Sequence, residues 1–168
     1  MKAETVEMAA ATEAETTEAA ITAEVVKAET EKIMIKLITG EKGTGKTKII
    51  IDMMNEAIAS TNGSLVCIEK GSNLRTQINY KVRWCDTEYY KVDGFDAFYG
   101  FVSGMLAGNY DIEKIFVDGI LKIGGKDFEA FGKMLDKLAA LTGDATTVVF
   151  TVSANNSEMP ASVTKYVG

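Results

Sequence analysis

Residues Ile33–Ile51, "IMIKLITGEKGTGKTKIII", set a glycine-rich turn between two runs of β-branched residues. Ile33–Thr39 reads as a short buried strand, and Gly40–Gly45 is too permissive to continue it. Beyond the turn, Ile49, Ile50, Met53, Met54, Ala57 and Ile58 recur at helical spacing, which predicts a helix over 45–60. Asn62-Gly63 supplies helix-stop chemistry directly after it. A stiff strand and a stiff helix therefore hold one flexible loop in a single shape.

Outward from this stretch, apolar runs alternate with helical patterns. "SLVCIEK" (Ser64–Lys70), "EKIFVDGI" (Glu113–Ile120) and "TTVVFTVSAN" (Thr146–Asn155) read as core strands, and "YKVRWCD" (Tyr80–Asp86) as an extra one. Phe95–Ala107 has a helical pattern despite Gly100 and Gly104. In 126–142, Phe128, Phe131, Leu135, Leu138 and Leu141 define an amphipathic helix. Continuously apolar strands alternating with helices predict an α/β fold, a three-layer sandwich with a mostly parallel sheet covered on both faces.

The first 32 residues differ. They hold eight Glu and three Lys among many Ala and Thr, with no Gly, Pro or aromatic residue. Such a segment buries too little apolar area to offset its ordering entropy, so it reads as an acidic, flexible tail ahead of a domain over 33–168. Met34, directly before the first strand, offers an alternative translation start.

Composition excludes several chemistries. The 168 residues contain no histidine, which removes Ser-His nucleophile activation, histidine-ligated metals and imidazole proton shuttles. Two cysteines, Cys67 and Cys85, are too few for a zinc site or a disulfide framework. A reduced, cytoplasmic compartment is the expectation. No run of eighteen apolar residues occurs, so no membrane span is expected. The net charge of −6 comes largely from the first 32 residues, and the nearly neutral remainder gives no indication of nucleic-acid binding.

"GEKGTGKT" satisfies G-x-x-x-x-G-K-[ST] with Gly40, Gly45, Lys46 and Thr47. Matches of this kind arise by chance in roughly one chain of this length in a few hundred, and the strand before and helix after sharpen it further. Gly40, Gly43 and Gly45 allow Gly40–Lys48 (with Glu41, Lys42 and Thr44 as the variable positions) to turn backbone N–H groups inward, a concavity suited to phosphate oxygens. The helix opening near Gly45 adds its positive dipole end there. In that arrangement Lys46 bridges β- and γ-phosphates and the Thr47 hydroxyl holds Mg²⁺. Asp118, closing an apolar strand in "KIFVDG", is placed to supply a carboxylate to the same metal.

On these motifs, residues 33–155 resemble a P-loop NTPase core of the additional-strand division, which includes RecA- and KaiC-like ATPases. The resemblance implies ATP and Mg²⁺ as ligands, with Asp118 as the Walker B carboxylate. It implies a polar γ-phosphate sensor at the last core strand, where Thr151, Ser153 and Asn155 are candidates and Ser153 is preferred. Many members carry Glu directly after the Walker B Asp, and here that place is Gly119. RecA- and KaiC-like members put a catalytic Glu at the end of the strand following the phosphate-loop helix, which is Glu69 in this chain. Oligomeric relatives complete a neighbour's site with an arginine, and only Arg75 and Arg83 are available for that. An oligomer or a protein partner is thus an open expectation. Trp84, Tyr89, Tyr90, Phe95, Phe98, Tyr99 and Phe101 offer base-stacking surfaces or half-buried packing, of which packing is preferred.

Three functions follow from this reading: an ATPase, with Lys46, Glu69 and Asp118 as its chemistry; a small-molecule kinase of the same fold, disfavoured by the scarcity of arginine; and a nucleotide-dependent binding module with little turnover. Absence of an N-K-x-D motif favours ATP over GTP.

Overall fold

A computed structural model describes residues 34–168. The expectation of an acidic tail over 1–32 falls outside the described residues.

Five strands, β1 (Ile35–Thr39), β2 (Ser64–Glu69), β3 (Val82–Asp86), β4 (Ile112–Asp118) and β5 (Thr147–Val152), form one sheet in the order β1-β5-β4-β2-β3. Every pairing is parallel. Parallel neighbours require crossovers: α1 (Lys46–Ser60) follows β1, α2 (Phe95–Gly108) follows β3, and the short α3 (Ile120–Gly124) with α4 (Phe128–Thr142) follows β4, whereas β2 reaches β3 through the turns of residues 70–81 without a helix. A 3₁₀ turn at Asn156–Glu158 and α5 (Ala161–Thr164) complete the described residues. The architecture is the expected α/β sandwich.

Strand alternation explains the two helical layers. Leu65, Cys67, Val82, Phe116 and Val149 point to one face and bury Ile50, Met54 and Ala57 of α1. Val66, Ile68, Ile115, Val117, Val148 and Phe150 point to the other and bury Phe98 and Val102 of α2 with Phe131, Leu135 and Leu138 of α4. The middle stretches Leu65–Ile68, Ile115–Val117 and Val148–Phe150 are continuously apolar because both faces of the sheet are covered there, whereas β1, β3 and the start of β4 carry the exposed Lys36, Arg83 and Glu113. Ile49, expected on the apolar side of α1, is 46% exposed, since the Ile50-Met54-Ala57 stripe alone meets the sheet. α2 tolerates Gly100 and Gly104 because Phe95, Phe98 and Val102 on its buried face anchor it.

Several boundaries move for local reasons. β4 stops at Asp118 because Gly119 takes a left-handed conformation (φ 71°), from which α3 starts at once. β5 stops at Val152, not Asn155. Asn155 instead caps the 3₁₀ turn, reciprocally bonded with Glu158. "YKVRWCD" is a strand from Val82, pairing in parallel with β2. The β1 edge is covered by the chain's own end: Leu37 N–H donates to Tyr166 O (2.9 Å), and Val167 bridges Leu37. No helix among the described residues is long and apolar enough to cross a membrane.

Candidate functional site

The C-terminal ends of the strands lie along one edge of the sheet, where open α/β sheets bind ligands. The loop after β1 begins at Gly40, whose N–H donates to Ala154 O (3.1 Å), and ends as α1 opens at Lys46. Thr44 N–H is turned back onto Glu41 O (3.3 Å). The amides of Gly43, Gly45, Lys46, Thr47 and Lys48 make no hydrogen bond among the described residues. Gly43 and Gly45 have φ near +88°, and a side chain on either would project into open space. This is a row of free donors at the N-terminus of a 15-residue helix, the chemistry of an anion cradle.

Lys46 is 7% exposed. Its Nζ donates to Gly40 O (2.9 Å) and Glu41 O (2.6 Å), with Thr44 Oγ1 at 3.4 Å. Burial pulls its pKa below the ordinary lysine value, partly opposed by the charge of Asp118. An anion placed beside Nζ would restore the lost charge stabilisation.

Asp118 sits opposite. Its Oδ1 lies 3.4 Å from the Thr47 hydroxyl and accepts a 2.8 Å bond from Thr151 Oγ1. Thr151 in turn accepts from Gly119 N–H at 2.7 Å. The buried threonine thus fixes both the carboxylate and the turn behind it. Among the described residues no three His, Cys, Asp or Glu side chains gather to hold a metal. A hard cation between Thr47 and Asp118 would take its remaining oxygens from phosphate and water, as Mg²⁺ commonly does. The residues present fit that ion.

Loop, carboxylate and strand ends enclose a cleft of about 630 Å³, lined by Lys42, Gly43, Gly45, Lys46, Thr47, Asp118, Gly119, Leu121, Lys122, Lys126, Thr151 and Ser153. That volume suits a nucleotide-sized ligand. A second cavity of about 240 Å³ shares Lys42, Leu121, Lys126 and Ser153 with it and adds Glu41 and Asn155. Asn155 Nδ2 donates to Glu41 Oε1 (2.9 Å), tying the segment after β5 to the glycine-rich loop after β1. Of the three sensor candidates, Thr151 and Ser153 both line the cleft, Thr151 buried and bonded to Asp118 and Ser153 exposed, while Asn155 borders only the smaller cavity. Lys48 is turned outward to Asp52 (2.8 Å), so only its backbone belongs to the loop.

Glu69 is not brought into the cleft. Register sets it beside Asp118 at the ends of β2 and β4. However, it is 2% exposed, and its Oε1 accepts from Trp84 Nε1 and Leu74 N–H, both at 2.8 Å. It anchors the β2–β3 connection. Arg75 lies over the Trp84 ring, 5.2 Å from its centroid, on the same flank. Neither Arg75 nor Arg83 lines the cleft. The aromatic residues do not line it either: Phe95 stacks on Phe131 in the core, and Tyr90 packs on Phe101.

Sequence reasoning missed Leu121, Lys122 and Lys126. The signal was present in "GILKIGGK", Gly119–Lys126, a glycine-bounded segment directly after Asp118 that carries two lysines and no acid.

No protein-family model matches the chain, and no curated protein matches it in sequence.

Proposed function

We propose that this chain is a P-loop NTPase that binds ATP with Mg²⁺ in the cleft formed by Gly40–Thr47, Asp118 and Ser153, and hydrolyses it slowly. The observation that carries the reading is that Gly43, Gly45, Lys46 and Thr47, whose amides are unbonded among the described residues, line one cleft with Asp118. The strand order supports the additional-strand division. β5 lies between β1, which leads into the loop, and β4, which ends in Asp118.

The loop amide N–H groups donate to phosphate oxygens, and Lys46 Nζ exchanges loop carbonyls for the β–γ bridge. Mg²⁺ when bound neutralises charge developing on the phosphates. Thr47 and Asp118 would hold that ion, and Thr151 keeps the carboxylate from rotating. Slow turnover follows from the carboxylates. Gly119 replaces the adjacent Glu, and Glu69 is committed to Trp84 and Leu74, so neither position offers a free base for water.

A nucleotide panel read by thermal shift with and without Mg²⁺ tests the proposal. Saturation at a hundredfold over Kd stabilises the folded state by about 2.7 kcal/mol, roughly 5–10 °C for a domain of this size. Lys46→Ala should remove both the shift and the release of phosphate. Wild-type protein that no nucleotide stabilises would refute the reading, and turnover that needs an added hydroxyl compound would move it to a kinase.

A further inference from the structure

We infer that Lys122 and Lys126 form a second cationic wall that contacts the terminal phosphate of the bound nucleotide, so that the cleft favours a triphosphate over a diphosphate. This rests on the ATP-binding reading above and adds residues to the site that neither the phosphate-loop pattern nor Asp118 accounts for.

The 119–126 segment leaves β4 immediately beside Asp118 and lines the cleft with Gly119, Leu121, Lys122 and Lys126. Gly119 is needed for two reasons. Its φ of 71° is left-handed, and a Cβ there would stand 3.3 Å from Lys122 Cδ. The Lys122 stem therefore folds back over the residue following Asp118.

Lys126 follows Gly125 and precedes Asp127, the N-cap of α4. The Asp127 carboxylate is engaged with Ala130 N–H (3.1 Å), and neither Lys122 nor Lys126 pairs with an acid among the described residues. Both side chains are exposed to the cleft. Four lysines (42, 46, 122 and 126) line the cleft with a single carboxylate, Asp118, while Glu41 and Glu158 of the adjoining smaller cavity are engaged with Asn155. A polyanion is the ligand that balances this concentration of charge.

The position assigns the phosphate. The loop amides and Lys46 lie at the α1 end, whereas Lys126 also borders the smaller cavity with Lys42 and Ser153. An amine between the two cavities meets the phosphate that extends beyond the β-phosphate cradle. In a diphosphate that group is missing.

Affinities for ADP–Mg²⁺ and for a non-hydrolysable ATP analogue with Mg²⁺, measured by calorimetry on the full chain, test the inference. Lys126→Ala and the Lys122→Ala/Lys126→Ala pair should weaken the ATP analogue by about tenfold or more, from Coulomb attraction at contact distance, and change ADP by less than about twofold. Lys126→Arg should keep the preference. Lys133→Ala, on the outer face of α4 where Lys133 pairs with Glu129, is the control. Equal losses for both nucleotides, or no loss, would overturn the role of the two lysines while leaving ATP binding intact. Wild-type protein that binds neither nucleotide would overturn the ATP reading and this inference with it.

Discussion

Thr151→Val removes one hydroxyl and nothing of comparable size. Thr151 Oγ1 donates to Asp118 Oδ1 at 2.8 Å and accepts from Gly119 N–H at 2.7 Å, and the residue is 2% exposed. Loss of a bond to a charged acceptor costs about 1.5–3 kcal/mol, and an N–H left without its partner costs about 1–3 kcal/mol. The two share one atom and are not additive, so the expected destabilisation is about 3 kcal/mol. With a urea slope of about 1.5 kcal/mol/M, the unfolding midpoint falls by about 2 M. Freed from Thr151, Asp118 also orients Mg²⁺ less well, and Mg²⁺-dependent ATP affinity should fall by about tenfold or more. Thr151→Ser keeps both hydrogen bonds and loses one methyl, for about 1 kcal/mol. Urea titrations of the three proteins, with and without ATP–Mg²⁺, measure both effects. A valine variant within about 0.5 kcal/mol of wild type, or a serine variant as damaged as the valine one, would refute the bracing role.

Three other predictions concern different parts of the molecule. Glu69→Gln should leave phosphate release unchanged and lower stability by about 1–2 kcal/mol, because Trp84 and Leu74 lose a charged acceptor but keep a neutral one; a collapse of turnover with binding intact would return Glu69 to the chemistry. Tyr166→Phe removes a 2.6 Å bond to Asp136, whose carboxyl is held below its ordinary 3.8 by Lys165 and Tyr166. That depressed value means the stabilisation is complete above 3.8 and disappears as pH falls through the lowered pKa, so the variant should be about 1 kcal/mol less stable at neutral pH, discounted for a half-exposed carboxylate, and equal to wild type in strong acid. Cys67, fully buried, has its thiol pushed up to about 12 by burial and by the nearby Glu69 and Asp118 charges. Alkylation at mildly basic pH should modify it only after unfolding, and rapid labelling of native protein would contradict the packing of the α1 face.

The local features of this protein were fixed by its sequence. The strand–loop–helix unit at 35–60 is legible because β-branched runs, glycines and a 3.6-residue stripe demand different backbones in immediate succession. The alternation of apolar strands with helices likewise dictated a parallel sheet covered on both faces. Gly40, Lys46 and Thr47 were picked out by the spacing of one pattern and Asp118 by its place at the end of an apolar strand, and the structure brings Lys46, Thr47 and Asp118 to one cleft. Side-chain direction at the strand ends was not legible. Glu69 and Asp118 occupy matched register positions, yet each carboxylate turns away from the other, one to Trp84 on β3 and the other to Thr151 on β5. Strand order decides which partners are available, and strand order is a long-range property. The same holds for Lys122 and Lys126. They are unremarkable surface residues along the chain, and they reach the cleft only because the left-handed turn at Gly119 sends the next helix back over Asp118.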